Sequence, residues 1–143
     1  QGLAVSRAYP LVEGGQARRV GDRVEKELLT PMGPRSLSPH DPRYRGRYEG
    51  GVWERDSAYH QGTVWPWLMG PFVTAYLRVH GRTDAACAQV RRWLREFEAH
   101  LEEAGLGHVS EIADGDSPHT PRGCIAQAWS VAELLRAARE AGL

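Results

Sequence analysis

The chain has 143 residues, 41% of them hydrophobic, which suffices for the core of one domain. Its 18 basic and 18 acidic side chains cancel, so no net field gathers nucleic acid or an anionic membrane surface. The two cysteines, Cys87 and Cys124, lack zinc or disulfide-framework spacing, and no long uncharged apolar run marks a signal peptide or membrane span. A soluble, cytoplasmic protein with reduced thiols is the expectation. The chain opens on Gln1 rather than methionine, which suggests a piece of a longer polypeptide.

Near the N-terminus, AVSRAYPLV is ambiguous between helix and strand. From Gln16 onward Ala17, Val20, Val24 and Leu28 recur at steps of three and four, which predicts a surface helix over about 16–29. Pro31, Gly33, Pro34, Pro39, Pro42, Gly46, Gly50 and Gly51 follow, and this density of breakers predicts no regular structure over 31–60. A loop of that length in a compact domain is usually functional, and Tyr44, Tyr48, Trp53 and Tyr59 need a surface to pack on.

TVWPWLMGPFVTAYLRVHG (63–81) has almost no polar face, so the reading is a helix buried nearly all round, with Pro66 in its first turn and a kink or opening at Pro71. Next, Asp84 as N-cap and the stripe Ala86, Val90, Trp93, Leu94, Phe97 and Leu101 predict a helix ending at Gly105. A last helix over about 125–140 would turn Ile125, Ala128, Trp129, Ala132 and Leu135 inward. No alternating run reads as a strand. The expected class is all-α, with helical hairpins side by side and the long loops 31–60 and 105–123 gathered at one end.

Two stretches can carry chemistry. In SEIADGDSPHTPRGC, Glu111, Asp114 and Asp116 are close enough for like-charge repulsion to favour a general acid or base near neutrality. The same residues can instead be turn chemistry, with Asp side chains satisfying local backbone N–H groups. DGD lacks the longer oxygen series of a calcium loop, and the scattered histidines form no HxxxH pair, so no metal is expected. In YHQGTVWPW, Trp65 and Trp67 can stack on the C–H faces of sugars while His60 and Gln61 bond their hydroxyls; alternatively both tryptophans are core and His60 caps a turn. GxSxG and Walker-type glycine loops are absent from the sequence, which argues against serine nucleophiles and NTP binding.

LLTPMGPRSLSPHDPRYRGRYEG (28–50), AYHQGTVWPWLMGPFVTAYLRVHG (58–81) and SEIADGDSPHTPRGCIAQAWSVAELLRA (110–137) together resemble the C-terminal portion of bacterial and archaeal glycogen debranching enzymes of the amylo-α-1,6-glucosidase type. The likeness runs from about Gln1 to Ala138. It implies part of an (α/α)6 toroid, with loops at one end forming a sugar pocket, and inverting hydrolysis of α-1,6-linked glucose at glycogen branch points; in such a part the apolar helix 63–80 would lack its neighbours and leave a large apolar surface bare. Carried over by position, it implies Glu111 as general base and His60, Gln61, Trp65, Trp67, Arg55, Asp114 and Gln127 as substrate-binding residues, with Arg47 and Glu49 as weaker candidates. The family's acid is an aspartate in an upstream NTVDA-like segment, which this sequence does not contain. Asp56 is the nearest carboxylate to propose but matches a loop position. Ala113 stands where an aromatic is common. The implied partners are glycogen or another branched α-glucan and a second chain or upstream segment that completes the toroid; no cofactor is implied. The alternatives are a non-catalytic carbohydrate-binding or interaction module, or an inactive fragment.

Overall fold

A computed structural model describes residues 2–143, and Gln1, where the resemblance begins, lies outside the described residues. The helices are α1 (Gly2–Ser6), α2 (Gly14–Leu28), α3 (Val52–Ala58), α4 (Met69–His80), α5 (Asp84–Glu103) and α6 (Ala128–Glu140), with a 3₁₀ turn at Pro66–Leu68 leading into α4. Two minimal antiparallel hairpins interrupt them. In one, β1 (Leu29–Thr30) pairs with β2 (Gly33–Pro34), Leu29 opposite Pro34; in the other, β3 (Ile112–Ala113) pairs with β4 (Pro121–Arg122), Ile112 opposite Arg122. The chain is mostly helical, as expected, but the reading had no place for these strands. Among the described residues no helix is long and apolar enough to cross a membrane.

α4 is the centre of the packing. It touches α1, α2, α5 and α6, so the apolar helix expected to lack neighbours is covered by this chain itself. Met69, Phe72, Val73 and Leu77 of α4 meet Val90, Trp93 and Phe97 of α5, Val24 of α2 and Ala137 of α6 in one core. Each large side chain buried there stabilises by about 1.5–3 kcal/mol relative to exposure. Val5 of α1 packs with Ala17 and Ala75 in a second cluster, so the ambiguous N-terminal run is helical only up to Ser6 and irregular from Arg7 to Val12.

Several boundaries differ from the expectation. Thr63 and Val64, taken as helical, are extended and buried, and the helix proper begins at Met69. Pro71 therefore falls in the first turn of α4, where its missing N–H costs little, and no break follows it. The N-cap of α5 is Thr83, whose side chain accepts from the Ala86 amide, rather than Asp84. The breaker-rich segment 31–60 contains α3, a short helix with only Ala58 buried.

The largest correction concerns α6. It starts at Ala128, and Ser130, Val131, Leu134, Ala137 and Ala141 line its packed side, while Ile125, Trp129 and Leu135 are 63%, 48% and 66% exposed. The inward face is made largely of small residues, which let α6 lie close to α4. At Gly70 of α4 a β-carbon would fall 1.8 Å from Glu133 Oε2, so any side chain there would have to displace the carboxylate of Glu133.

Candidate active site

Val64 joins the two long loops. It bridges Arg35 on one side and Ala113 on the other, with Val64 N–H donating to Ala113 O at 2.9 Å and Ala113 N–H donating back at 3.0 Å. Extended backbone with a β-branched residue suits this position, which explains why helix formation waits until Pro66. Met32, Val64 and Ala113 form a small core beneath, so the alanine that departs from the family pattern is fully enclosed. Arg35 Nε donates to Gly115 O at 2.8 Å, Arg45 N–H to Gln61 O at 2.6 Å and Asp116 N–H to Gly46 O at 3.1 Å. Gly115 fits because it has no side chain: a β-carbon there would stand 2.1 Å from Gly62 O. The expected meeting of the first long loop with the acidic loop is thus observed.

The three carboxylates of the acidic loop have different surroundings. Asp114 is fully buried; its Oδ1 accepts from the Tyr48 amide at 2.8 Å and its Oδ2 from Arg122 Nε and Nη2 at 3.2 and 3.0 Å. Arg47 and Glu49 add longer ionic contacts to this knot, at 3.8 Å to Asp114 and 3.6 Å to Arg122. Asp116 Oδ1 accepts from the Tyr44 hydroxyl at 2.9 Å. Both aspartates therefore tie the loops together through Tyr48, Arg122 and Tyr44, rather than satisfying the local backbone N–H groups of a turn as weighed for them. Among the described residues no cluster of three metal-ligating side chains converges here.

Glu111 is different. It is half-buried just before β3, its Oε1 accepts from the Tyr59 hydroxyl, and its Oε2 accepts from the Cys124 amide at 3.0 Å. Burial, and then the bond to Glu111, push the Tyr59 phenol above its ordinary value of 10, so it remains a donor at neutral pH. From Tyr59 a row of rings leads outward. Tyr48 lies 5.6 Å away by ring centres, His60 4.7 Å and Trp65 4.8 Å. His60 stacks on Trp65 at 5.1 Å, Trp65 meets Trp129 edge-on at 6.3 Å, and Trp129 stacks on Trp67 at 5.3 Å. A carboxylate beside an aromatic row with hydrogen-bonding partners is an arrangement able to hold a sugar ring near a base.

Of the residues singled out from sequence, Glu111, His60, Trp65 and Trp67 come together in this way, but Trp65 is only 5% exposed and lies under His60, so the alternative of a core tryptophan holds for it while Trp67 is half-buried. Asp114 lies beneath them in the loop knot. Gln61 contributes backbone bonds, and Gln127 opens α6, its N–H donating to Val109 O at 2.9 Å. Arg55 is exposed on α3, and its side chain makes no hydrogen bond among the described residues. Trp129, Tyr59 and Arg122 were missed in these roles. Trp129 was assigned to a helix interior, Tyr59 was read only as a loop aromatic, and Arg122 could have been found by reading ADGDSPHTPRG as a hairpin turn, with a partner strand on each side.

The family described as amylo-alpha-1,6-glucosidase matches residues 1–136. Glycogen debranching enzyme from Saccharomyces cerevisiae is 29% identical over 130 residues, covering 78% of this chain and 8% of the relative. The chain thus spans a small part of the length of that curated relative.

Proposed function

Because this chain belongs to the amylo-alpha-1,6-glucosidase family, we propose that it carries the water-activating half of an inverting glycoside hydrolase site, with Glu111 as the general base. The Glu111 carboxylate removes a proton from water as the water oxygen bonds to the anomeric carbon and the bond to the leaving oxygen breaks. A second carboxyl group, on a segment outside this chain, gives its proton to that leaving oxygen. The substrate is α-1,6-linked glucose at a branch point of glycogen or another branched α-glucan, and the work is done in the cytoplasm. His60 and Trp67 bind the sugar, and Trp65, buried beneath His60, supports it.

The observation that carries this reading is the setting of Glu111: a carboxylate held by two donors, one on each oxygen, at the end of an aromatic row. Each carboxylate oxygen has a second lone pair, so the two donors leave capacity for water. Membership of an (α/α)6 toroid completed by an upstream segment or second chain is part of the proposal. It is supported by the exposed Ile125, Leu135 and Leu143 and by an open groove of about 310 Å3 between α5 and α6, lined by Leu94, Leu101, Val131 and Leu134.

The test is to co-express the chain with the polypeptide encoded upstream of it and to measure glucose release from an α-1,6-branched dextrin. Glu111→Gln is expected to lower the rate by about 10²- to 10⁴-fold; full activity in that variant overturns the assignment. A second reading, a carbohydrate-binding module without catalysis, is favoured by the commitment of Asp114 and Asp116 to arginine and tyrosine partners, which leaves the loop with one available carboxylate. It predicts oligosaccharide binding that depends on Trp67, with no hydrolysis in any assembly.

A further inference from the structure

We infer that Tyr59 is the positioning residue of Glu111: its hydroxyl, acting with the Cys124 amide, fixes the plane and reach of the carboxylate. The inference rests on the reading of Glu111 as general base.

Tyr59 is itself restrained from several directions. Its N–H donates to Arg55 O at 3.0 Å, and its carbonyl accepts from Thr63 Oγ1 at 2.6 Å and from Trp65 Nε1 at 3.0 Å. The ring is wedged among Tyr48, His60 and Trp65. A hydroxyl on so fixed a ring loses little further entropy when it binds, unlike a donor on a long flexible side chain.

The opposite side of the carboxylate is equally constrained. Cys124 offers its backbone N–H to Oε2, and Gly123 makes the approach possible, because a β-carbon there would stand 2.5 Å from that oxygen. Gly123 also has φ +67, a conformation that costs other residues. Glu111 N–H donates to Cys124 O at 2.8 Å, so the residue is tied at both its main chain and its side chain. Two donors from segments far apart in sequence thus define one rotamer of Glu111. A general base needs such definition, since a displacement of about 1 Å at the reacting atoms can cost on the order of a hundredfold in rate. The raised phenol is a poor proton donor, which fits a residue that orients the base without exchanging a proton with substrate.

Tyr59→Phe keeps the ring and removes only the hydroxyl, so it separates orientation from packing. In the 143-residue chain, a low-field hydroxyl proton assigned to Tyr59 is expected by NMR, lost in Tyr59→Phe and displaced or lost in Glu111→Gln. In the assembly that releases glucose, Tyr59→Phe should lower kcat by about 10- to 100-fold with KM changed by less than about twofold, and should add nothing in the Glu111→Gln background. Absence of the hydroxyl resonance, an unchanged kcat, an effect on KM alone, or full additivity with Glu111→Gln each overturns the inference. Should Tyr59→Phe fail to fold, the response of the Tyr59 resonance to Glu111→Gln still decides. Full activity of Glu111→Gln, or a wild-type assembly that releases no glucose, overturns the underlying reading instead.

Discussion

His100, in the last turn of α5, accepts a hydrogen bond from the Ser110 amide at Nε2, 3.1 Å, one residue before Glu111. Its ring is buried, its Nδ1 has no partner among the described residues, and burial lowers its pKa below the ordinary 6.5, with Glu103 acting in the opposite sense. Protonation would turn the acceptor nitrogen into a donor facing another donor. The unfolded chain, at about 6.5, takes up the proton first. Stability contributed by the neutral ring is therefore complete above that value and is lost as pH falls through it toward the lower folded-state pKa. Thermal melts from pH 7.5 to 5 should show a falling midpoint, and His100→Gln should flatten that slope even where it lowers the midpoint overall. The residue was partly legible: Ala86, Val90, Trp93 and Phe97 were read on one stripe, and His100 continues it by a step of three. Leu101 was preferred for its hydrophobicity yet sits at the solvent edge, 36% exposed. The acceptor role was not legible, because it depends on a loop amide ten residues away.

α5, whose buried face carries Val90, Trp93 and Phe97, and α2, whose Ala17 and Val24 lie on one stripe opposite its charges, could be read from periodicity. α6 could not be oriented that way, because its seam with α4 uses small residues and leaves larger ones outside. Ala137→Leu should destabilise by about 1–3 kcal/mol through overpacking, whereas Leu135→Ser should change stability by less than about 0.5 kcal/mol. Urea midpoints of the two variants check this, and the reverse order would restore the orientation expected from hydrophobicity. α3 escaped notice for a related reason. Only Ala58 of its seven residues is buried, so no stripe exists to be seen among the flanking glycines.

At the scale of the whole molecule, the meeting of the loops depends on Asp114. Asp114→Asn keeps an acceptor for the Tyr48 amide but removes the charge that faces Arg122 and Arg47. Hydrogen exchange at the Tyr48, Ala113 and Asp116 amides should quicken by roughly 10- to 100-fold, while amides of α4 keep their protection. Uniform quickening across α4 would mean that the loops and the helices open as one unit. From sequence, the length and aromatic content of 31–60 signalled that it must pack, which holds for Tyr44, Tyr48 and Tyr59 but not for Trp53, 76% exposed, and the acidic loop was recognised as special. The division of labour between Glu111 and the aspartates was not visible, because it is decided by partners 52 and 66 residues away. Those separations, and the 80 residues between Arg35 and Gly115, also bear on the cost of assembly. The packing of α4 on α1 and α6 closes stretches of comparable length, Val5 to Ala75 and Gly70 to Glu133, so the helical core and the socket around Glu111 carry similar costs of loop closure. Far-UV ellipticity follows the helices and reads little of the Val64 bridges, so a chain of full helicity can still leave open whether the carboxylate has been seated.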